Sequence, residues 1–270
     1  MVTAFDDHER LRWADGATAY QRSFGAACAH PAAALIEAAC IEAGQRVLDA
    51  GTGPGTVAAL AAARGAVVTA VDAEPSMLAA ARRRVPAADV LHAVLPDLPF
   101  PAGCFDACVA NFVINHVGDP AAAVAELRRV VRPGGRVAVT IWPHPQPPMQ
   151  RLLLDAFEGS GAARPPSVPQ VAADKNFART PDGLSGLLRH AGLGDVRCAT
   201  LSWVQRLDPD DWWAGPAGGL GTLGVLMKGQ PPVVTDRIRA EYDRLAAGYL
   251  GADGLLALPT AALLASGVVE

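Results

Sequence analysis

The sequence contains no uninterrupted apolar run of about 18 residues, although 51% of its 270 residues are hydrophobic. We therefore expect no membrane-spanning helix and no membrane partner. The first residues, MVTAFDDHERLRW, are acidic and polar, whereas a secretory signal is basic and then apolar. These features predict a cytoplasmic protein whose apolar residues fill a sizeable core.

Paired cysteines and a basic surplus are also missing. None of the five cysteines forms a CxxC pair, and Cys104 and Cys108 have no nearby histidines at zinc-like spacing. We therefore expect free thiols in a reducing compartment and no metal site. The formal net charge is −4, whereas proteins that bind phosphate backbones usually carry a positive surplus. A nucleic-acid partner is not expected.

Between residues 45 and 142, short apolar segments alternate with segments of helical pattern. This alternation predicts an α/β fold, a Rossmann-like doubly wound sheet that is mostly parallel. The last helix of this region, DPAAAVAELRRVV, is expected to stop at Pro133-Gly134-Gly135. The predicted strands are QRVLDA (45–50), AVVTAVDA (66–73), DVLHAV (89–94), FDACVANFV (105–113) and RVAVTIW (136–142).

The flanking segments differ in pattern from this core. Residues 1–43 are expected to form a helical segment that closes the site, and residues 44–142 a nucleotide-binding core. Residues 143–270 are expected to supply a helical cap for substrate recognition and the last sheet strands, with an irregular loop over 159–170. The tail LLALPTAALLASGVV predicts an antiparallel closing strand, because Pro259 would interrupt a helix; a short helix is the alternative.

The segment VLDAGTGPG places Gly51, Gly53 and Gly55 between the first strand and the following helix. Glycines let the backbone bend sharply and bring a ligand against main-chain N–H groups. Position 56 is threonine, so the GxGxxG dinucleotide fingerprint is incomplete. Asp49, two residues before the first glycine, would repel a pyrophosphate and suit a cationic ligand such as a sulfonium.

A second carboxylate ends the second predicted strand. Asp72 follows Gly55 by 17 residues, where a carboxylate can accept hydrogen bonds from both hydroxyls of a ribose. The alternative is that Asp72 caps the helix that starts at Glu74. Together, the two carboxylates and the glycine turn favour a nucleoside with a positive charge.

Four motifs occur in order between Gly44 and Trp142, namely VLDAGTGPG, VTAVDAEPSML, LPFPAGCFDACVANFV and RRVVRPGG. In these motifs the chain resembles the class I S-adenosylmethionine-dependent methyltransferases, in particular the small-molecule group that includes the quinone-biosynthesis methyltransferases. The resemblance implies transfer of a methyl group from S-adenosylmethionine to an oxygen, nitrogen or carbon nucleophile of a small, partly hydrophobic metabolite of secondary metabolism, with S-adenosylhomocysteine as product. A cyclase or decarboxylase that binds S-adenosylmethionine without methylating is the alternative.

The resemblance also implies which residues contact the cofactor. Asp49 and the glycine turn would face the methionyl part and the ribose, and Asp72 would bind the ribose hydroxyls. Tyr20 would close over the methionyl group and Met77 would pack near the adenine, although both also fit ordinary core packing. The expected cofactor-binding set is Tyr20, Asp49, Gly51, Thr52, Gly53, Gly55, Asp72, Ala73, Met77, Leu95 and Asn111.

One position departs from the family pattern. Related sequences commonly carry an acidic residue six positions before the Phe of LPF, where it accepts the adenine amino group, and here that position is Val94. We expect the backbone around Leu95 to hold the adenine edge instead. Substitution by Asp97 from a shifted loop is the alternative.

Acceptor recognition and proton transfer are expected near the carboxyl ends of the fourth and fifth strands. His116 and His144 are the candidate general bases, and a mechanism without a base remains open. Trp13, Trp142, Trp212 and Trp213 are expected to line an apolar pocket for the small-molecule acceptor, with pinning of the cap helix as the alternative for Trp212 or Trp213. The sequence is compatible with a monomer or a homodimer.

Overall fold

The computed structural model describes residues 3–164 and 169–270, and residues 165–168 of the predicted loop over 159–170 lie outside them. Four helices precede the sheet. The first begins with a capping box, in which the Thr3 hydroxyl accepts from the Asp6 amide and the Asp6 carboxylate accepts from the Thr3 amide. The third and fourth are separated at His30-Pro31, as predicted. Their bounds are α1 Ala4–Trp13, α2 Ala17–Arg22, α3 Phe24–Ala29 and α4 Ala32–Ala38.

The core then alternates strand and helix. It comprises β1 Arg46–Ala50, α5 Thr56–Ala63, β2 Val67–Asp72, α6 Pro75–Arg84, β3 Asp89–His92, β4 Phe105–Asn111, a 3-10 turn Ile114–His116, α7 Pro120–Val130 and β5 Val131–Ile141. The remainder comprises α8 Pro148–Gly159, α9 Pro181–His190, β6 Leu193–Leu207, α10 Pro209–Ala217, α11 Gly221–Met227, α12 Pro232–Ala246, a 3-10 turn Ala247–Tyr249 and β7 Leu256–Val269.

The described strands form one seven-stranded sheet in the order β3-β2-β1-β4-β5-β7-β6. Strands β1 to β5 pair in parallel, and β7 pairs antiparallel with both β5 and β6. The predicted Rossmann-like sheet with an antiparallel C-terminal strand is confirmed. The strand order reverses between β1 and β4, and ligands of open α/β sheets bind at the carboxyl ends of the strands beside such a reversal.

Helix α7 ends earlier than predicted. It stops at Val130, and Val131 already pairs with Phe105 as the first residue of β5. The register then shifts, so that Arg136 pairs with Ala107 and residues 132–135 bulge out of the strand. Gly134 adopts a φ of +77° there, which glycine tolerates without strain. The Pro-Gly-Gly segment is therefore a bulge inside β5 rather than the end of a helix.

The tail is a strand, as predicted, and Pro259 lies within it. Pro259 pairs with Val204 of β6, whereas β5 ends at Ile141 opposite Leu263. This part of β7 thus has one neighbouring strand among the described residues. A proline is tolerated there because fewer backbone donors are needed than in the centre of a sheet.

Both faces of the sheet are covered. One face packs against α4, α5 and α6, the other against α7 and α9. A third apolar cluster joins α8, α10, α11 and α12 to the start of β7 and forms the cap. Among the helices within residues 3–164 and 169–270, none has the length and hydropathy of a membrane span. The division of the chain at residues 43 and 142 stays a prediction.

Candidate active site

A cavity of about 490 Å³ opens at the carboxyl ends of the central strands. Three walls enclose it. The core wall includes Gly51, Gly53, Asp72, Ala73, Met77 and Leu95; the N-terminal wall includes Glu9, Trp13, Tyr20 and Phe24; the cap wall includes Met149, Gln150, Leu153, Arg179 and Trp212. The strand-order reversal and the cavity thus coincide, as expected for this class of sheet.

The glycine turn and Asp72 are joined directly. Asp72 Oδ2 accepts from the Gly53 amide at 2.8 Å, and Oδ1 accepts from the Glu74 amide at 2.9 Å. Burial raises the pKa of Asp72, and these backbone hydrogen bonds oppose that effect. Glu74, not Asp72, caps α6, since its carboxylate accepts from the Ser76 amide. Asp72 therefore fixes the turn and still lines the cavity.

The space around the glycines differs from one position to the next. A Cβ at Gly51 would lie 2.3 Å from a methyl carbon of Val113, so only glycine fits there. A Cβ at Gly53 would meet no atom within 4 Å. The main chain at Gly53 therefore faces open space beside Asp72, where a ligand can approach closely.

Asp49 lies behind the turn rather than on the cavity wall, and its predicted role toward a cofactor stays a prediction. Its side chain is 1% exposed, and Oδ2 accepts from the Thr52 hydroxyl at 2.6 Å and the Ala58 amide at 2.9 Å. Among the described residues, Oδ1 has no hydrogen-bond partner. Burial raises the pKa of Asp49 to about 6, against the two hydrogen bonds. Thr52 and Gly55 also lie outside the cavity lining.

The N-terminal wall is tied to the sheet through Asn111. Its Nδ2 donates to the Cys28 carbonyl at 2.8 Å, and its Oδ1 accepts from the Thr140 hydroxyl at 2.6 Å. Tyr20 and Cys28 both line the cavity. Burial raises the pKa of Tyr20 well above its usual value and that of Cys28 to about 12, so both are neutral near pH 7.

A buried acid on α1 contacts one of the candidate bases. Glu9 is 3% exposed, and its Oε2 accepts from His116 Nδ1 at 2.8 Å and from Trp13 Nε1 at 3.3 Å, while Arg12 pairs with Oε1. Burial raises the pKa of Glu9, but the hydrogen bond from His116 and the charge of Arg12 outweigh it and hold the pKa below its usual range. The His116 Nε2 accepts from Asn115 Nδ2 at 3.0 Å.

Sequence reasoning missed Glu9. Its partner His116 is 107 residues away along the chain, and no local pattern marks the contact. His144, the other candidate base, is exposed at the rim of the cavity, and its amide donates to the Arg179 carbonyl at 2.9 Å. The structure therefore brings His116, not His144, against a buried carboxylate.

The tryptophans separate into two groups. Trp142 stacks on Phe112 with ring centres 3.9 Å apart, and Trp13 packs edge-on to Tyr20; both line the cavity. Trp212 also lines it and is 1% exposed, and its Nε1 has no hydrogen-bond partner among the described residues.

Trp213, unlike the other three predicted tryptophans, is not among the described residues that line the cavity. Its ring packs 5.2 Å from Tyr242, and the Arg239 guanidinium lies 5.4 Å from the ring centre. Trp213 therefore pins α10 to α12, the alternative that the sequence left open.

The region predicted to hold an adenine is apolar. Val94, Leu95 and Leu98 line the cavity together with Met77, whereas Asp97 is exposed and lies outside the lining. This arrangement favours recognition by the backbone near Leu95, which stays a prediction.

Comparisons with known proteins find similarity to methyltransferases. The family described as "Methyltransferase domain" matches residues 48–139. A demethylmenaquinone methyltransferase of Clavibacter sepedonicus is 35% identical over 173 residues, 59% of this chain and 70% of that protein. One of Paenarthrobacter aurescens (strain TC1) is 31% identical over 176 residues, 62% of this chain and 70% of that protein. The YcgJ protein of Bacillus subtilis, at 21% identity, shares the fold with a TM-score of 0.56 over 88% of this chain and 97% of that one.

Proposed function

The chain belongs to the class I S-adenosylmethionine-dependent methyltransferases, and from that premise we propose that it methylates an oxygen, nitrogen or carbon nucleophile of a small, partly hydrophobic metabolite of secondary metabolism. One observation carries the proposal. A single cavity joins the glycine turn and Asp72 to aromatic side chains of all three segments. The relatives named for demethylmenaquinone support an acceptor with an aromatic or quinone ring.

The residues at the core wall fit the cofactor. The open space at Gly53 lies beside Asp72, whose oxygens can accept from a ribose. The unpartnered Oδ1 of Asp49 adds negative potential beneath the turn, which suits a sulfonium and an ammonium. We propose that Asp49, Thr52 and Gly55 act from behind this wall. The residues proposed to touch the cofactor are Tyr20, Gly51, Gly53, Asp72, Ala73, Met77, Leu95 and Asn111.

Bound S-adenosylmethionine supplies an activated methyl group on a sulfonium. The chain's task is then to align the acceptor and to exclude water. The stacked pair of Phe112 and Trp142 offers a flat apolar surface, and Trp13 and Trp212 close the cavity from the other walls. These side chains orient a planar acceptor and keep its reacting atom out of bulk water.

His116 is the proposed general base. Its Nδ1 proton is donated to Glu9, which leaves the lone pair of Nε2 as the site for a proton from the acceptor. The acceptor would replace Asn115 as the group bonded to Nε2. Glu9 orients the ring and stabilises the imidazolium that forms. His144, exposed at the rim, lacks such a partner among the described residues.

The decisive experiment measures S-adenosylmethionine binding by calorimetry for the parent, Asp72→Ala and Asp97→Ala. Loss of charge-assisted hydrogen bonds to a ribose is worth about 1.5–3 kcal/mol, so Asp72→Ala should weaken binding about ten- to a hundredfold. Asp97→Ala removes an exposed carboxylate outside the lining and should change the affinity less than about twofold. Equal binding by the parent and Asp72→Ala would refute the assigned site.

Product analysis separates methylation from the non-methylating alternative. With a panel of hydroquinones and hydroxylated aromatic compounds, we expect S-adenosylhomocysteine and methylated product to form in equal amounts. Binding of S-adenosylmethionine without S-adenosylhomocysteine from any member of the panel would favour the cyclase or decarboxylase type.

A further inference from the structure

An arginine of the cap wall has no role in the function described so far. Arg179 precedes α9 and lines the cavity. Its backbone is held from two directions, because its carbonyl accepts from the His144 amide at 2.9 Å and the next residue, Thr180, caps α9 through the Gly183 amide at 3.1 Å. The guanidinium therefore projects from a fixed part of the chain.

The Arg179 guanidinium makes no hydrogen bond or ion pair with any residue in 3–164 or 169–270. Burial lowers the pKa of Arg179, and Glu9 is the acid whose charge opposes this. Glu9, however, is already bonded on Oε1 to Arg12 and on Oε2 to His116 and Trp13. A half-buried guanidinium without its own carboxylate is costly unless a ligand compensates it.

Two neutral donors of the same wall are also unused. Gln150 Nε2 and Trp212 Nε1 are buried and have no partner among the described residues, and both residues line the cavity. Gln150 is oriented by its other end, since Oε1 accepts from the Thr260 hydroxyl at 3.3 Å. The cap wall therefore offers the ligand one positive group, Arg179, next to two residues whose buried N–H groups are unpaired among the described residues.

We propose that the methyl acceptor carries a carboxylate and that Arg179 binds it, which rests on the methyltransferase function proposed above. Arginine suits this task because its planar fork pairs with both oxygens of a carboxylate. Arg179 is thus a specificity-determining residue, and it places a positive charge on the cap wall of the cavity.

A second carboxylate could be held by the same arginine, namely that of the methionyl part of the cofactor. The carboxylates expected to attract the cationic cofactor, Asp49 and Asp72, lie on β1 and β2, whereas Arg179 comes from the segment before α9. We therefore assign Arg179 to the acceptor. The test below distinguishes the two sources by measuring cofactor-product affinity separately.

The test uses 2-naphthoate as the probe and 2-naphthamide as its neutral match of the same shape. Binding to the intact protein saturated with S-adenosylhomocysteine is measured by calorimetry for the parent, Arg179→Gln and Arg189→Gln. Arg189 lies on α9 and is exposed, so it controls for loss of one positive charge from the same element. Thermal unfolding of each variant verifies that it is folded.

We expect the parent to bind naphthoate about tenfold or more tightly than naphthamide, because only naphthoate can form a charge-assisted pair with Arg179. Arg179→Gln should abolish the preference while leaving S-adenosylhomocysteine affinity within about twofold, and Arg189→Gln should keep the preference. No preference in the parent, or an equal preference in Arg179→Gln, would overturn the proposal.

Two further outcomes distinguish an error in the role of Arg179 from an error in the proposed function. If Arg179→Gln weakens S-adenosylhomocysteine about tenfold or more, the arginine binds the cofactor's carboxylate and the assignment to the acceptor is wrong. If the parent does not bind S-adenosylhomocysteine at all, the proposed function itself fails. A parent that binds S-adenosylhomocysteine but shows no naphthoate preference refutes only the acceptor carboxylate.

Discussion

Asp49 is a buried carboxylate whose replacement by asparagine should change how stability depends on pH. In the folded chain its pKa is about 6, compared with an ordinary value of 3.8. Because the folded state holds this proton more tightly than the unfolded state, the contribution of Asp49 to stability is greatest below pH 3.8. It is lost as the pH rises through 6.

The magnitude follows from the gap of about 2 pH units, since each unit is worth 1.36 kcal/mol. Between pH 4 and pH 8 the parent should therefore lose about 2–3 kcal/mol of unfolding free energy through Asp49, and Asp49→Asn should not. Asparagine can still accept from the Thr52 hydroxyl and the Ala58 amide, so the turn keeps its hydrogen bonds.

The assay is urea unfolding of ligand-free parent and Asp49→Asn at several pH values from 4 to 8. We expect the difference in unfolding free energy between the two proteins to shift by about 2–3 kcal/mol in favour of the variant across this range. In addition, Asp49→Asn should weaken S-adenosylmethionine more than S-adenosylhomocysteine, because only the former carries a sulfonium charge. Parallel pH dependences of the two proteins would refute the reasoning.

Two other predictions concern α1 and α10. Glu9→Gln removes a buried carboxylate from His116 and Arg12, so it should lower the local stability of α1 by about 3–5 kcal/mol, measured as faster hydrogen exchange of the α1 amides. Asp7→Asn, whose exposed side chain pairs with Arg10, is the control, and equal exchange in both variants would contradict the expectation that Glu9 holds α1 in place. Trp213→Ala should lower the unfolding free energy by about 3–5 kcal/mol without changing S-adenosylhomocysteine affinity, and a loss of affinity would place Trp213 at the site after all.

The sheet was predictable because its signals are local. Each signal depends only on a few neighbouring residues: apolar runs of strand length, alanine-rich helical segments and the glycines of the β1–α5 turn. Their order then determines the architecture, since parallel strands with intervening helices have few ways to pack. The Pro-Gly-Gly bulge in β5 was misread because proline and glycine mark both the end of a helix and a strand irregularity.

The site was only partly predictable, because side-chain direction and distant contacts have no local signature. Trp212 and Trp213 are adjacent in α10, and neighbours in a helix point about 100° apart, so one faces the cavity while the other packs on Tyr242. Asp49 has the sequence position of a ligand contact, yet its carboxylate turns back to Thr52 and Ala58. Arg179 has no local signal either, because the absence of a partner among the described residues is a property of the folded chain.

The position of β7 imposes an order on assembly during synthesis. Strand β6 is made some 50 residues before β7, yet within the sheet it can dock only onto β7, which separates it from β5. Until the ribosome has released Leu256–Val269, the newly made Leu193–Leu207 has no neighbour to pair with and β5 presents a bare edge. During this interval the unpaired edges of β5 and β6 are exposed, and exposed strand edges favour aggregation or binding by a chaperone.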